Sequence, residues 1–282
     1  MKFTSAMQLK GWIKNKSKET GTHTNEILQN YMLERFLERL SLSPYRENII
    51  LKGGFLIAAM VGVDRRSTMD MDTTVKGLPI SREGIEGILR EIISADVDDG
   101  VSFEIKDIKN IHDISEYDDY RVSLLATFHT LRVSMSVDIT TGDSIIPREV
   151  EYRYKLMFED RTIPVMAYNL NTILAEKIET ILVRSVGNTR GRDFYDTYLL
   201  LSAYRDALTR TELLHAIKVK AEERGSVPAI ENKEKILGDI AASPDIAKIW
   251  DNYKKRYHYA KGIALPDILS LIAWVFENGA AK

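Results

Sequence analysis

The 282-residue sequence contains no cysteine, which excludes disulfides and thiolate metal sites. Its five histidines, at positions 23, 112, 129, 215 and 258, show no pair at metal-ligand spacing, and no role is assigned to them. There is no run of about 18 apolar residues. The opening residues MKFTSAMQLK lack the apolar stretch of a signal peptide, so a cytoplasmic protein with no membrane contact is expected. A formal net charge of −2 leaves no uniformly basic coat, and any polyanion must meet a local patch. Internal repeats and low-complexity segments are also missing.

What remains is an ordinary globular composition, 44% hydrophobic and 28% charged, long enough for one large domain or two of usual size. Residues 6–18 read as a basic helix and the run NKSKETGTH as a loop. Thr24 then serves as N-cap for a helix carrying Ile27, Leu28, Tyr31, Met32, Phe36, Leu37 and Leu40 at helical spacing, stopped by Ser43-Pro44. A short strand at 49–51 follows, and after a helix the segment Lys76-Gly77-Leu78-Pro79 turns the chain. Ser81 caps a helix to about residue 95. Strands are expected at 101–108, 120–128, 131–139, 152–157 and 162–166, with Pro164 marking an edge or an ending. From Asn169 the strand signals stop, and helices are expected at 171–184, 197–203, 209–224, 231–241, 245–259 and 267–277. The expectation is a mixed β-sheet flanked by helices over residues 1–168, followed by a helical C-terminal domain over 169–282.

The densest chemistry lies in residues 51–74, LKGGFLIAAMVGVDRRSTMDMDTT. A helix opening at Gly53-Gly54 would leave backbone N–H groups bare, which suits phosphate. In Thr68-Met69-Asp70-Met71-Asp72 the period of a strand puts Asp70 and Asp72 on one face and Met69 and Met71 on the other. Adjacent carboxylates repel unless a cation lies between them, and hard oxygen donors suit Mg²⁺, which also takes substrate phosphate oxygens. Phosphate beside metal outlines nucleotidyl transfer. In the strand at 131–139, Val133, Met135, Val137 and Ile139 form one face, while Asp138 shares the other with Ser134 and Ser136, as a third carboxylate would. On the helix at 171–184, Lys177 and Arg184 fall inside the apolar stripe, so Lys177 either snorkels or has an anionic partner. Asp193 shares a helical face with Leu200, Asp196 is offset by about 60°, and Arg190 or Arg192 could pair with Asp193 on the surface. The run Lys254-Lys255-Arg256-Tyr257-His258-Tyr259, with Lys248, Trp250 and Lys261, mixes charge and rings as an RNA contact would. A solvated helix face over packed tyrosines would read the same way.

Lys52-Gly53-Gly54, Arg66-x-Thr68-x-Asp70-Met71-Asp72, Ala175-Glu176-Lys177 and Arg192-Asp193-Phe194-Tyr195-Asp196, in that order, resemble the AbiEii-type (AbiEii/AbiGii, MenT-like) nucleotidyltransferase toxins of type IV toxin–antitoxin systems, in the DNA polymerase β-like superfamily. The matches span residues 51–201. The resemblance implies an α/β (α+β) nucleotidyltransferase fold with the active site in a cleft between the two domains. It implies Mg²⁺ (or Mn²⁺) on Asp70, Asp72 and Asp138, and nucleotide contacts from Lys52, Gly53, Gly54, Arg66, Thr68, Lys177 and Asp196. Asp70, Asp72, Asp138, Lys177 and Asp193 would be catalytic, with Asp196 a second candidate for the downstream acid. It further implies transfer of a nucleoside monophosphate from an NTP, in some members to the 3′ end of tRNA, with growth arrest or abortive infection, and a cognate antitoxin. Two positions depart from the pattern: Phe55 stands where a hydroxyl residue is usual, and Thr73 where an apolar one is. Rival readings are a small-molecule nucleotidyltransferase of the antibiotic-modifying kind and a non-catalytic binding protein on the same fold.

Overall fold

The computed structural model describes residues 2–66, 68–78, 81–111 and 119–277. The expected turn at Pro79 and the position of His112 lie outside them. The chain divides into two compact units, Met1–Asp143 with Glu149–Tyr168 and Ser144–Arg148 with Asn169–Lys282.

The first unit runs α1 (Ala6–Thr20), α2 (Thr24–Leu42), β1 (Ile49–Lys52), α3 (Gly53–Val61), β2 (Asp70–Val75), α4 (Arg82–Ser94), β3 (Val101–Asn110), β4 (Tyr120–Phe128), β5 (Leu131–Thr141), β6 (Val150–Lys155) and β7 (Thr162–Ala167). The seven strands form one mixed sheet in the order β3-β4-β5-β2-β1-β7-β6. The β2–β5 and β1–β7 pairs are parallel, and the others antiparallel. Ser5 and Ser81 cap α1 and α4, each hydroxyl accepting a backbone N–H three residues on.

Two expectations are corrected. The run read as a loop from Asn15 is helical to Thr20, where Gly21 at φ 69° closes α1. Thr24 is the first helical residue of α2 rather than its cap, and His23 before it makes no side-chain cap bond. Pro164 lies in β7, between β1 and β6 in the sheet, yet on a local edge of the kind expected, because β1 meets β7 only at Leu51–Ala167, three residues further on.

Helix α2 is the core element of this unit, and it is buried around most of its circumference. Besides the expected apolar stripe it buries Asn30, Glu34, Arg35, Glu38 and Arg39. Buried charges need partners. Arg39 forms a bidentate pair with Asp99 at 2.8 Å on both branches and also donates to the Val101 carbonyl. Arg35 pairs with Glu34, with Glu38 at 2.8 Å and with Glu159 at 3.3 Å. Burial pushes the Glu34 carboxyl up to about 7, against the opposing pull of Arg35 and the Met157 N–H. The folded state therefore holds a proton that the unfolded chain releases near 4.5. The stability tied to that proton is complete below about pH 4.5 and is lost as pH rises through 7, up to about 3 kcal/mol. Melting curves between pH 4.5 and 7 should show this fall, and Glu34→Gln, which cannot titrate, should flatten it. Parallel curves for the two proteins would remove the assignment.

The second unit is helical: α5 (Leu170–Arg184), α6 (Gly191–Tyr204), α7 (Arg210–Glu223), α8 (Val227–Glu231), α9 (Lys233–Ala242), α10 (Pro244–Arg256) and α11 (Leu265–Phe276). Three bounds differ from expectation. The helix placed at 197–203 begins at Gly191, the one placed at 231–241 is preceded by the separate turn of α8, and the one placed at 245–259 stops at Arg256. α5 packs against both α6 and α7. Adjacent residues of α5 serve the two sides: Glu176 pairs with Lys220 at 3.3 Å and Arg224 at 3.0 Å on and after α7, and Lys177 turns to α6. Among the described residues no helix is long and apolar enough to cross a membrane.

Candidate active site

Strand β2 carries the two acids. Met71 is fully buried beneath the sheet, while Asp70 is exposed and Asp72 half-buried on the opposite face. Met69 departs from the expected alternation, being 46% exposed, because it precedes the strand. The approach to β2 is held from α2, where Asn30 Nδ2 donates to the Thr68 carbonyl and Gln29 Nε2 to the Met69 carbonyl, each at 2.6 Å. These two tethers were not foreseen from sequence.

The register of three pairings sets a row of charged residues across the sheet. Lys52 of β1 is opposite Asp72, Asp72 is beside Asp138 of β5, and Asp138 is opposite Arg121 of β4. Cross-strand partners share a face, so the three acids Asp70, Asp72 and Asp138 stand on one side of the sheet. Met135, Val137 and Ile139 are buried on the other. Asp138 is held by Arg121 in a bidentate pair, Nε to Oδ1 at 2.8 Å and Nη2 to Oδ2 at 2.7 Å. The hydrogen bonds and charge of Asp138, with a smaller pull from Asp70 and Asp72, keep the Arg121 guanidinium well above its ordinary value.

The start of α3 lies against Asp72. The Gly54 N–H donates to Asp72 Oδ2 at 3.3 Å, so the donor expected to be bare for phosphate is engaged by a carboxylate at the positive end of the helix. Gly53 is required by space and backbone conformation, and Gly54 is closely fitted. Gly53 has φ +65°, and a Cβ there would lie 2.0 Å from Asp72 Oδ2. A Cβ on Gly54 would lie 3.0 Å from Arg66 Nη2 and 3.1 Å from Thr68 Oγ1. Gly53→Ala should therefore cost at least about 1 kcal/mol for its backbone alone and also displace Asp72. Gly87→Ala, in the open interior of α4 with nothing within 4 Å, should be neutral or slightly stabilising. Thermal melts of the two variants test this, and equal stability would contradict it. Phe55, in place of the hydroxyl, is buried and stacks on Tyr154 with ring centroids 5.6 Å apart.

Lys52 reaches along the same face to Thr140 Oγ1 at 2.7 Å and to Asp143, and Thr140 in turn donates to Asp143 at 2.6 Å. Lys52, Gly53, Gly54, Arg66, Thr68, Asp70, Asp72 and Asp138 thus all belong to the first unit. Arg66 is buried beside Gly54.

Among the described residues no three metal-ligating side chains converge as placed. Arg121 takes both oxygens of Asp138. The donor chemistry nonetheless fits a hard divalent ion, since Mg²⁺ needs only one or two carboxylates when substrate phosphates and water complete its shell. Asp70 and Asp72 supply that pair.

In the second unit Lys177 does have anionic partners, Asp193 Oδ1 at 2.8 Å and Asp196 Oδ2 at 2.9 Å. Both acids are buried, at 4% and 0% side-chain exposure. Asp193 therefore pairs inward from the first turn of α6 instead of standing on the surface. The backbone carbonyl of Asp193 also accepts from Thr197 Oγ1 at 2.8 Å. The alternatives of Asp193 or Asp196 become one ion triad on a single lysine.

The sequence profile of the nucleotidyl transferase AbiEii toxin family of type IV toxin–antitoxin systems matches residues 35–276. Among solved structures, a Helicobacter pylori protein assigned as a nucleotidyltransferase aligns over 90% of this chain and 96% of its own at 14% identity and TM-score 0.51. JHP933 from Helicobacter pylori aligns over 89% and 91% at 13% identity and TM-score 0.49. The antibiotic-resistance factor ANT(2'')-Ia aligns over 74% and 98% at 14% identity and TM-score 0.43. No curated protein matches. The profile covers most of the chain, and with it the mixed sheet, the paired aspartates of β2 and the helical second unit belong to one enzyme family: the chain is a member of the AbiEii nucleotidyltransferase toxins of type IV toxin–antitoxin systems.

Proposed function

We propose that the protein is a Mg²⁺-dependent toxin that transfers a nucleoside monophosphate from an NTP to the 3′ end of tRNA, arresting growth or aborting infection, and that a cognate antitoxin neutralises it. The observation carrying this reading is the register that sets Asp138 beside Asp72, with Asp70 on the same face and the start of α3 against Asp72. Asp70 and Asp72 hold the metal, which when bound supplies charge neutralisation on the phosphates and a lower pKa for the attacking hydroxyl. The Gly53 N–H, Arg66 and Thr68 bind the triphosphate, joined by the Gly54 N–H once Asp72 releases it to take the metal; Lys177, set by Asp193 and Asp196, is the compact phosphate-binding charge that the family resemblance implies. The acceptor hydroxyl oxygen bonds to the α-phosphorus, the bond from that phosphorus to the bridging oxygen breaks, and pyrophosphate leaves. Asp138 accepts the hydroxyl proton, which requires Arg121 to yield at least one of its oxygens.

The test is incubation with Mg²⁺, each labelled NTP in turn and total RNA. A labelled band of tRNA size is expected. Unlabelled RNA with a labelled small hydroxyl compound would overturn the acceptor. Arg121→Gln should tighten Mn²⁺ binding about tenfold, a gain of about 1.4 kcal/mol, because Asp138 is released to the ion. Titration followed by the spectrum of free Mn²⁺ reads this without turnover, and an unchanged affinity would show that Asp138 takes no part in metal binding.

A further inference from the structure

Within the second unit, the start of α6 and the end of α10 enclose a depression of about 440 Å³. Arg190, Arg192 and Arg256 line it together with Asn252, Tyr253 and Tyr257. Arg192 and Arg256 are exposed, and among the described residues neither has an acidic partner; Arg256 lies over the Tyr257 ring at 5.3 Å. The neighbouring Lys254, by contrast, pairs with Asp251 at 2.8 Å. Placing the guanidiniums of Arg192 and Arg256 at one depression without acidic partners raises the local potential, which an arriving anion lowers. Behind them the rings are ordered: Trp250 stacks on Tyr253 at 5.6 Å, Tyr253 meets Tyr257 at 4.7 Å and Tyr257 stacks on Tyr259 at 5.3 Å. Gly191 permits this arrangement, since a Cβ there would lie 2.8 Å from Tyr253 Cβ.

Planar guanidiniums fit phosphate through paired donors, and tyrosine faces fit bases. An acidic peptide would use the arginines and leave the rings idle. A mononucleotide-sized volume, at the lower end of ligand pockets, matches one unit of a single strand passing through. We propose that this depression binds a single-stranded segment of the RNA acceptor, with phosphates on Arg192 and Arg256 and a base against the Tyr253–Tyr257 pair. The proposal rests on the reading of the acceptor as RNA. It assigns a function to the mixed basic and aromatic run at 254–259, of which Arg256 and Tyr257 are the members used.

The experiment measures binding of labelled tRNA and of a short single-stranded RNA to the full chain at several salt concentrations, beside NTP affinity. Arg192→Gln/Arg256→Gln should weaken RNA binding at least tenfold near 0.1 M salt and flatten the log–log salt dependence by about 1.4, the loss of two phosphate contacts at about 0.7 each, with NTP affinity unchanged. Tyr257→Leu should weaken binding by roughly tenfold with the slope kept. Unchanged RNA affinity and slope in the arginine variant would overturn the proposal, and so would a matching loss of NTP affinity, which would make the depression a nucleotide site. Binding of labelled poly-glutamate by a protein that binds no RNA would overturn it in favour of an acidic peptide. Binding is read without transfer, so RNA that binds here but is never labelled would count against the proposed reaction and not against this site.

Discussion

Asp72→Asn should abolish nucleotidyl transfer while leaving the protein folded. The carboxylate is the central member of the row Lys52, Asp72, Asp138, Arg121, and the change removes its charge without altering its shape. If Asp70 and Asp72 carry the metal, losing one ligand forfeits several kcal/mol of transition-state stabilisation, and about 4 kcal/mol is a factor of roughly 10³ in rate. Asp70→Asn should act alike, since it shares the face two residues away. Stability should scarcely move. Asp70 is exposed and Asp72 half-buried, and relieving repulsion on an acidic face offsets the lost Gly54 N–H contact with Asp72 Oδ2. Label incorporated from NTP, measured beside a melting curve, checks both halves. Normal toxicity in a double Asp70→Ala, Asp72→Ala variant would favour a binding protein that keeps the fold without the chemistry.

Much of this site was legible because strand parity is a local property. Alternation placed Asp70 and Asp72 opposite Met71, and Asp138 opposite Val137 and Ile139, before any pairing was known. Gly53 and Gly54 marked the start of α3 because few other residues fit there. Arg121 was missed although its signal was present: a two-residue turn at His129 and Thr130 fixes an antiparallel register in which Phe128 meets Leu131, and counting back along both strands brings Arg121 to Asp138. The neighbouring β2–β5 register, by contrast, is parallel and crosses a long connection, so no local turn specifies it. The buried charges of α2 had a signal in the sequence that went unused. At about 100° per residue Glu38, Arg35 and Arg39 fall among Ile27, Tyr31, Leu28 and Met32 rather than opposite them, and distant partners such as Asp99 and Glu159, which no local pattern specifies, make their burial tolerable.

Lys177→Met should destabilise the protein by about 3–5 kcal/mol, because it leaves Asp193 and Asp196 buried with no lysine between them. Methionine preserves most of the stem volume, so the loss comes from charge and not from a cavity. At roughly 2–4 °C per kcal/mol for a chain of this class, the melting temperature should fall by on the order of 10 °C. The second half of the prediction separates structure from chemistry. Adding Asp193→Asn and Asp196→Asn to Lys177→Met removes the two buried negative charges and should restore a large part of the lost stability. If Lys177 serves only to neutralise two buried acids, that triple variant should regain transfer along with stability. A lysine that holds phosphate predicts instead that stability returns and transfer does not, with the NTP concentration needed for half-maximal rate staying high. Lys177→Arg sharpens the distinction, since it keeps the charge but replaces a compact ammonium with a planar fork. It should hold the two aspartates better than methionine does, yet support transfer poorly. Full activity in either the triple variant or the arginine variant would reduce Lys177 to a structural counter-ion and leave the triphosphate to the glycines, Arg66 and the metal.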